Sequence, residues 1–338
     1  MNKIKDIEYK QQSYTKDLCN SRLELSIKGS NINYIILNTI RRVILSDIPI
    51  YAFTKFNFTT NESIFNNNYL KLRFTNLPVV GIENTIEKYN VVQNETVINE
   101  EVSEEEDLLD NENIDLGDES NKKVNTSSLG QLTMYVDIKS TEKMIKTVTT
   151  NDAKFYYNEK NIPSPYKVAI PLVKLQPDQS INFSAITSLG TEKINPIYSA
   201  VCVCYYKEID EHDYTFIVES RGQLTEKRII HVALINIIDT LKKIVDMIPV
   251  EQLSHTGKII INNENNTMGN LLSYGMTSHK DVKIAGYNIP HLLEDKVIIH
   301  YELANEKIKL KNVLDDVLEY LLKLFNELIK LNNSIGKK

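Results

Sequence analysis

Apolar positions along this chain switch between the two-residue period of a strand and the three-to-four-residue period of a helix. LELSIKG (23–29) alternates as a half-covered strand does. From Asn33 to Ser46, Ile36, Ile40, Val43 and Ile44 fall on one side of a helix. Asp47-Ile48-Pro49 stops that helix, because the residue before proline is pushed out of the helical region. QLTMYVDIK (131–139) alternates again. Between Tyr166 and Tyr206 the runs KVAIPLVKL, QPDQSINFSAI and YSAVCVCYY read as short strands punctuated by Pro171, Pro177 and Pro196. DYTFIVES (213–220) is a further strand. After Gly222 a long helix runs from about Thr225 to Met247, and Ile230, Leu234, Ile237, Leu241, Ile244 and Ile248 form its coiled-coil-like seam.

Beyond Pro249 the plan repeats. GKIIIN (257–262) is a strand, a short helix starts near Thr267, and DVKIAG and DKVIIHYEL are strands on either side of a turn. A last helix spans about Lys309 to Leu331, with a seam of Leu310, Leu314, Val317, Leu321, Leu324, Leu328 and Leu331. Val313, Leu318, Leu322, Phe325 and Ile329 widen that stripe, so the helix needs cover on more than one side. An α+β fold is expected: two modules of sheet plus long helices, paired in one chain, with a β-rich domain inserted in the first. The expected boundaries are 1–55 with 207–249 for the first module, 56–206 for the insertion and 250–338 for the second. Leu234, Leu241, Val317, Leu321, Leu324 and Leu328 are the expected intramolecular seam. The roughly ten residues between the first seam helix and the next strand span some 30 Å at about 3.3 Å each. Such a tether gives an effective concentration of order millimolar, which favours internal pairing over a homodimer.

Charge sharpens the picture. Of the 45 acidic residues, twelve lie between Asn94 and Asn121 with no Lys or Arg, so the net charge of -6 conceals a body of about +6. The segment 94–125 is expected to be a disordered acidic loop, since it is too charged and too poor in aromatics to offset its ordering entropy. It has no EF-hand frame. A mildly basic body suits acidic protein surfaces better than wrapping a polyanion. The N-terminus has no apolar core of a secretory signal, no run reaches membrane-spanning length, and three cysteines are too few for a disulfide framework, so an intracellular protein is expected. Cys202, Cys204 and His212 supply at most three ligands where structural zinc needs four, so no metal or other cofactor is expected. There is no phosphate loop, His-Glu-x-x-His, Gly-x-Ser-x-Gly or Asp-x-Asp-x-Asp cluster. A Cys202–His212 pair lacks an orienting third group. No catalytic residue is assigned.

NTIRRVILSDIPIYAF (38–53) resembles the signature of the alpha-like subunits of cellular RNA polymerases, a helix with Asn-Thr-Leu-Arg-Arg followed by a Ser-Glu/Asp-Ile-Pro turn and a strand. LPVVGIE (77–83), the run from Ile170 to Tyr206 and FIVESRGQLT (216–225) resemble the third-largest subunit of the eukaryotic nuclear enzyme. NNTMGNLLSY (265–274) and AGYNIPHLLEDKVII (285–299) are similar to its eleventh subunit. Ser273 stands where that family has arginine, and Leu292 where it has proline. Such a fusion resembles the arrangement in large cytoplasmic DNA viruses.

The resemblance implies a non-catalytic assembly platform that docks the largest and second-largest polymerase subunits and small polymerase subunits. It implies no sequence-specific DNA contact, no membrane and no homo-oligomer. If viral, the protein is expected in the host cytoplasm and the virion; otherwise in the nucleus. Asn38, Arg41 and Arg42 match the family motif at the surface facing the large subunits, where the planar arginine fork suits carboxylates and carbonyls. Spacing alone would read both arginines as a solvated helix face. Gly269 costs the second short helix about 1 kcal/mol relative to alanine, a cost that close approach by another element would offset; Asn270 and Leu271 are expected in the same partner contact. The alternative is a free-standing homodimeric coiled-coil interaction protein.

Overall fold

The computed structural model describes residues 7–16, 21–80, 131–141, 143–248, 255–291 and 296–335. The acidic segment 94–125, Cys19 and Leu292 therefore lie outside the described residues. In chain order the elements begin β1 (Glu8–Lys16), β2 (Ser21–Lys28), α1 (Tyr34–Ser46), β3 (Ile50–Asn61) and α2 (Asn67–Thr75). Next come β4 (Leu132–Lys139), β5 (Lys146–Thr149), β6 (Lys154–Tyr157), β7 (Lys160–Ile162), β8 (Pro171–Leu175) and β9 (Ser180–Gly190). A 3-10 turn at Pro196–Tyr198 leads to β10 (Val201–Asp210), β11 (Asp213–Ser220) and α3 (Glu226–Met247). The last elements are β12 (Thr256–Asn262), α4 (Asn266–Thr277), β13 (Val282–Asn288), β14 (Lys296–Leu303) and α5 (Leu310–Ser334). The fold is α+β. Among the described residues no helix is long and apolar enough to cross a membrane.

Two compact units result: Met1–Ile48 with Ser199–Lys338, and Pro49–Tyr198. The second unit thus begins and ends earlier than the expected 56 and 206. The reason is pairing: β3 joins β9 from its first residue, whereas β10 joins β11 in the other unit.

Within the first unit the same topology occurs twice. The sheet β1-β2-β11-β10 and the sheet β12-β14-β13 are antiparallel throughout. Stripped of β1, both place the first strand beside the last, with the middle strand on the far side. In each copy a short helix, α1 or α4, follows the first strand, and a long helix, α3 or α5, closes the module. Leu23, Leu25 and Ile27 alternate inward from β2, as do Ile259 and Ile261 from β12. The two long helices pack on each other, and α1 packs on both α3 and α4. Leu234, Leu241, Val317, Leu321, Leu324 and Leu328 are all buried. Burying such side chains is worth about 1.5–3 kcal/mol each, which is why two apolar-striped helices are not left open to water.

The expected seam of α5 needs one correction. Leu331 is only half-buried, and the next residue, Asn332, is enclosed instead. An unconstrained helix turns every 3.6 residues, so a strict heptad drifts off the contact line within three repeats. Asn332 accepts from the Tyr9 hydroxyl at 3.2 Å and donates to the Lys227 carbonyl at 3.0 Å, tying β1 and the start of α3 to the end of α5.

The second unit holds a five-stranded sheet, β3-β9-β4-β6-β7, and the pair β5-β8. α2 covers β3, and Phe74 stacks on Phe183 with ring centroids 4.9 Å apart, beside Phe58 at 5.3 Å from Phe183.

Candidate functional site

α1 begins where Asn33 turns its side-chain oxygen to the Ile36 amide at 3.0 Å, satisfying one of the donors a helix start leaves open. Ile36, Leu37, Ile40, Val43 and Ile44 are buried. The opposite stripe is Tyr34, Asn38, Arg41, Arg42 and Leu45, with Tyr34 the most exposed and the rest half-buried. Asn38 Oδ1 accepts from Arg41 Nε at 3.1 Å and from the guanidinium terminus at 3.0 Å, so Arg41 is folded onto its own helix. Its charge reaches Cys204 on β10, but burial dominates there and pushes the thiol up to about 12. Arg42 makes no side-chain hydrogen bond or ion pair among the described residues, which take up none of its five donors. No acidic residue lies on α1. The Asn236 amide caps the helix exit by donating to the Asp47 carbonyl at 3.0 Å.

The second module divides the remaining expected contact residues. Asn270 is half-buried on the outer side of α4. Gly269 and Leu271, expected in a partner contact, lie inside their own module. A Cβ on Gly269 would come within 2.6 Å of Val297 and 3.0 Å of Tyr287, and Leu271 is fully buried. The close approach that glycine permits is therefore to this module's own sheet. A second glycine of α4, Gly275, escaped the sequence reading; a Cβ there would meet Val317 of α5 at 2.6 Å. Its signal was available, a second glycine in a twelve-residue helix.

A polar cluster joins the modules between these surfaces. Tyr274 of α4 lies near Tyr320, and burial foremost raises its phenol. Tyr320 in turn accepts from Asn31 at 3.0 Å. Thus the turn before α1 is tied to α5 of the second module. Cys202 is exposed and Cys204 buried, with a register irregularity of β10 between Val201 and Val203. No group of three or more His, Cys, Asp or Glu is placed to hold a metal among the described residues.

Two topologically equivalent modules, closed on each other through α1, α3, α4 and α5 within one polypeptide, define an internally paired dimerisation subunit. The comparison with known families agrees: the RNA polymerase Rpb3/Rpb11 dimerisation domain matches residues 27–241 and again residues 256–331, and the chain belongs to that family. Proteins of this family are non-catalytic parts of RNA polymerase. A protein of Acanthamoeba polyphaga mimivirus, provisionally named a DNA directed RNA polymerase subunit, is 25% identical over 327 residues, covering 91% of this chain and 90% of the relative. A Dictyostelium discoideum subunit of DNA-directed RNA polymerases I and III is 26% identical over 225 residues, 65% of this chain and 59% of that protein.

Proposed function

We propose that the chain is the assembly platform of a DNA-directed RNA polymerase, doing in one polypeptide what two partner subunits do elsewhere, and docking the two large catalytic subunits. The observation that carries the reading is the internal closure of both modules, which fills the seams and leaves Asn38, Arg41 and Arg42 of α1 and Asn270 of α4 half-buried rather than enclosed. Asn38, Arg41 and Arg42 on α1, with Asn270 on α4, form the docking residues in this reading. Arg41, held by Asn38, presents a fixed fork, and Arg42 offers free donors to carboxylates or backbone carbonyls. Small polymerase subunits add to the same assembly, which makes no sequence-specific DNA contact through this chain and contributes no catalytic residue from it. A viral polymerase, in line with the mimivirus relative, would act in the host cytoplasm and travel in the virion; a cellular one would act in the nucleus.

The homodimeric coiled-coil alternative needs an open apolar seam, and the seam residues of α3 and α5 are already enclosed. Co-expression of the tagged chain with both large subunits tests the proposal. Joint capture of the two is expected, and a chain that purifies as a homodimer indifferent to them would overturn it.

A further inference from the structure

The two equivalent sheets differ on the face turned away from the helices. On the first sheet that face is closed by its own charges: Arg22 pairs with Glu24 and with Glu219, both at 2.8 Å, and Lys28 pairs with Asp213 at 2.6 Å. β1 also covers the outer edge of β2. On the second sheet the same face carries Ile260 and Ile284, 52% and 60% exposed. Gly286 lies opposite His300 with open space where a side chain would stand, leaving a cleft of about 600 Å³ lined by Lys258, Ile284, Tyr287, His300 and Glu302 among others. Glu302 is consumed by Lys283 at 2.7 Å, and this pairing holds its carboxyl below the usual range. Lys258 and Lys296 have no ion pair among the described residues. No described strand pairs with the second edge of β12.

We infer that this face of β12-β14-β13 receives an acidic, partly apolar segment of another polymerase subunit, with an apolar side chain in the Gly286–His300 cleft and carboxylates against Lys258 and Lys296. The choice follows from charge and surface together. A second copy of this chain in a twofold contact would set lysines against lysines. A phosphate backbone would leave Ile260 and Ile284 without an apolar partner. An apolar patch rimmed by lysines that have no ion pair among the described residues is instead what an acidic protein surface fits. The inference rests on the chain's place in a polymerase, but not on docking through α1.

Carbodiimide coupling, which joins lysine amines directly to neighbouring carboxylates, tests it on the intact polymerase purified through this chain. Lys258 or Lys296 should be found joined to Asp or Glu of another subunit. The variant Ile284→Asp, which keeps both lysines, should reduce that coupling at least about tenfold while the two large subunits still co-purify. Lysines that remain unlinked, that join only carboxylates of this chain or of a second copy, or that are shielded until nuclease treatment would each overturn the inference while leaving the platform reading intact. Loss of the large subunits from the unmodified purification would count against the platform itself.

Discussion

The phenol of Tyr320 accepts a 3.0 Å hydrogen bond from the side-chain amide of Asn31, joining α5 of the second module to the turn before α1 in the first. Asn31 is 6% exposed, so water cannot readily replace that partner. An unsatisfied buried donor costs about 1–3 kcal/mol. Tyr320→Phe should therefore destabilise the chain by about 1–2 kcal/mol on that scale, read from the urea midpoint at unchanged slope. In a double-mutant cycle with Asn31→Ala the two losses should be smaller together than in sum. Additive losses would mean the bond does not couple the modules.

Gly275 gives a packing test at the contact between α4 and α5. Alanine gains about 1 kcal/mol of helix propensity, yet its Cβ would lie 2.6 Å from Val317 Cγ1. Valine in a helix has little rotamer freedom with which to yield, and overpacking typically costs about 1–3 kcal/mol. Gly275→Ala should lower the melting temperature, and adding Val317→Ala should recover part of the loss. A stabilised Gly275→Ala would show that the helices separate freely.

Alkaline pH should weaken both units. Burial raises the Tyr166 phenol, which donates to the Pro78 carbonyl at 2.8 Å, and pushes the Cys204 thiol up to about 12 from its ordinary 9.0. A raised folded-state value means the folded chain keeps a proton that the unfolded chain has lost. The associated stability is full below pH 9.0 and declines as pH rises from there towards about 12. Urea midpoints should fall steadily over that window, and Cys204 should resist alkylation until the chain unfolds while Cys202 reacts. Flat midpoints across the window would contradict the burial of these groups.

Charge reversal at Arg42 separates docking from folding. Its side chain has no partner within the described chain, so Arg42→Glu should change the melting temperature little, as surface substitutions usually stay within about 0.5 kcal/mol. Capture of the large subunits on co-expression should drop at least about tenfold, since losing one partner of a buried interface charge typically costs about 2–5 kcal/mol. Equal capture by both forms would remove Arg42 from the docking surface.

Periodicity alone located α1, α3 and α5 within a few residues, because each carries a wide apolar stripe that burial must cover. It missed β1, whose EYKQQSYTK is polar along its length: the strand forms by pairing with β2, and only the tertiary bond of Tyr9 to Asn332 shows why it lies there. It also missed α2, where NNYLKLRFT has hardly any one-sided pattern and is held by Phe74 against Phe183. At the candidate surface, Asn38, Arg41 and Arg42 stood out only through the resemblance of their motif, since spacing alone reads both arginines as a solvated helix face. The inward turn of Gly269 and Leu271 was not legible, since which side of a short helix meets its sheet depends on strands that follow it in the chain. The cluster of Asn31, Tyr274 and Tyr320 joins residues far apart in sequence and carries no local pattern at all.

Sedimentation equilibrium of the isolated full-length chain tests internal pairing most directly. Modules that close on each other predict a single species of 38.8 kDa at every loading concentration. A mass rising towards twice that value with concentration would mean that the seam helices of α3 and α5 find their partners in another molecule, contradicting the account.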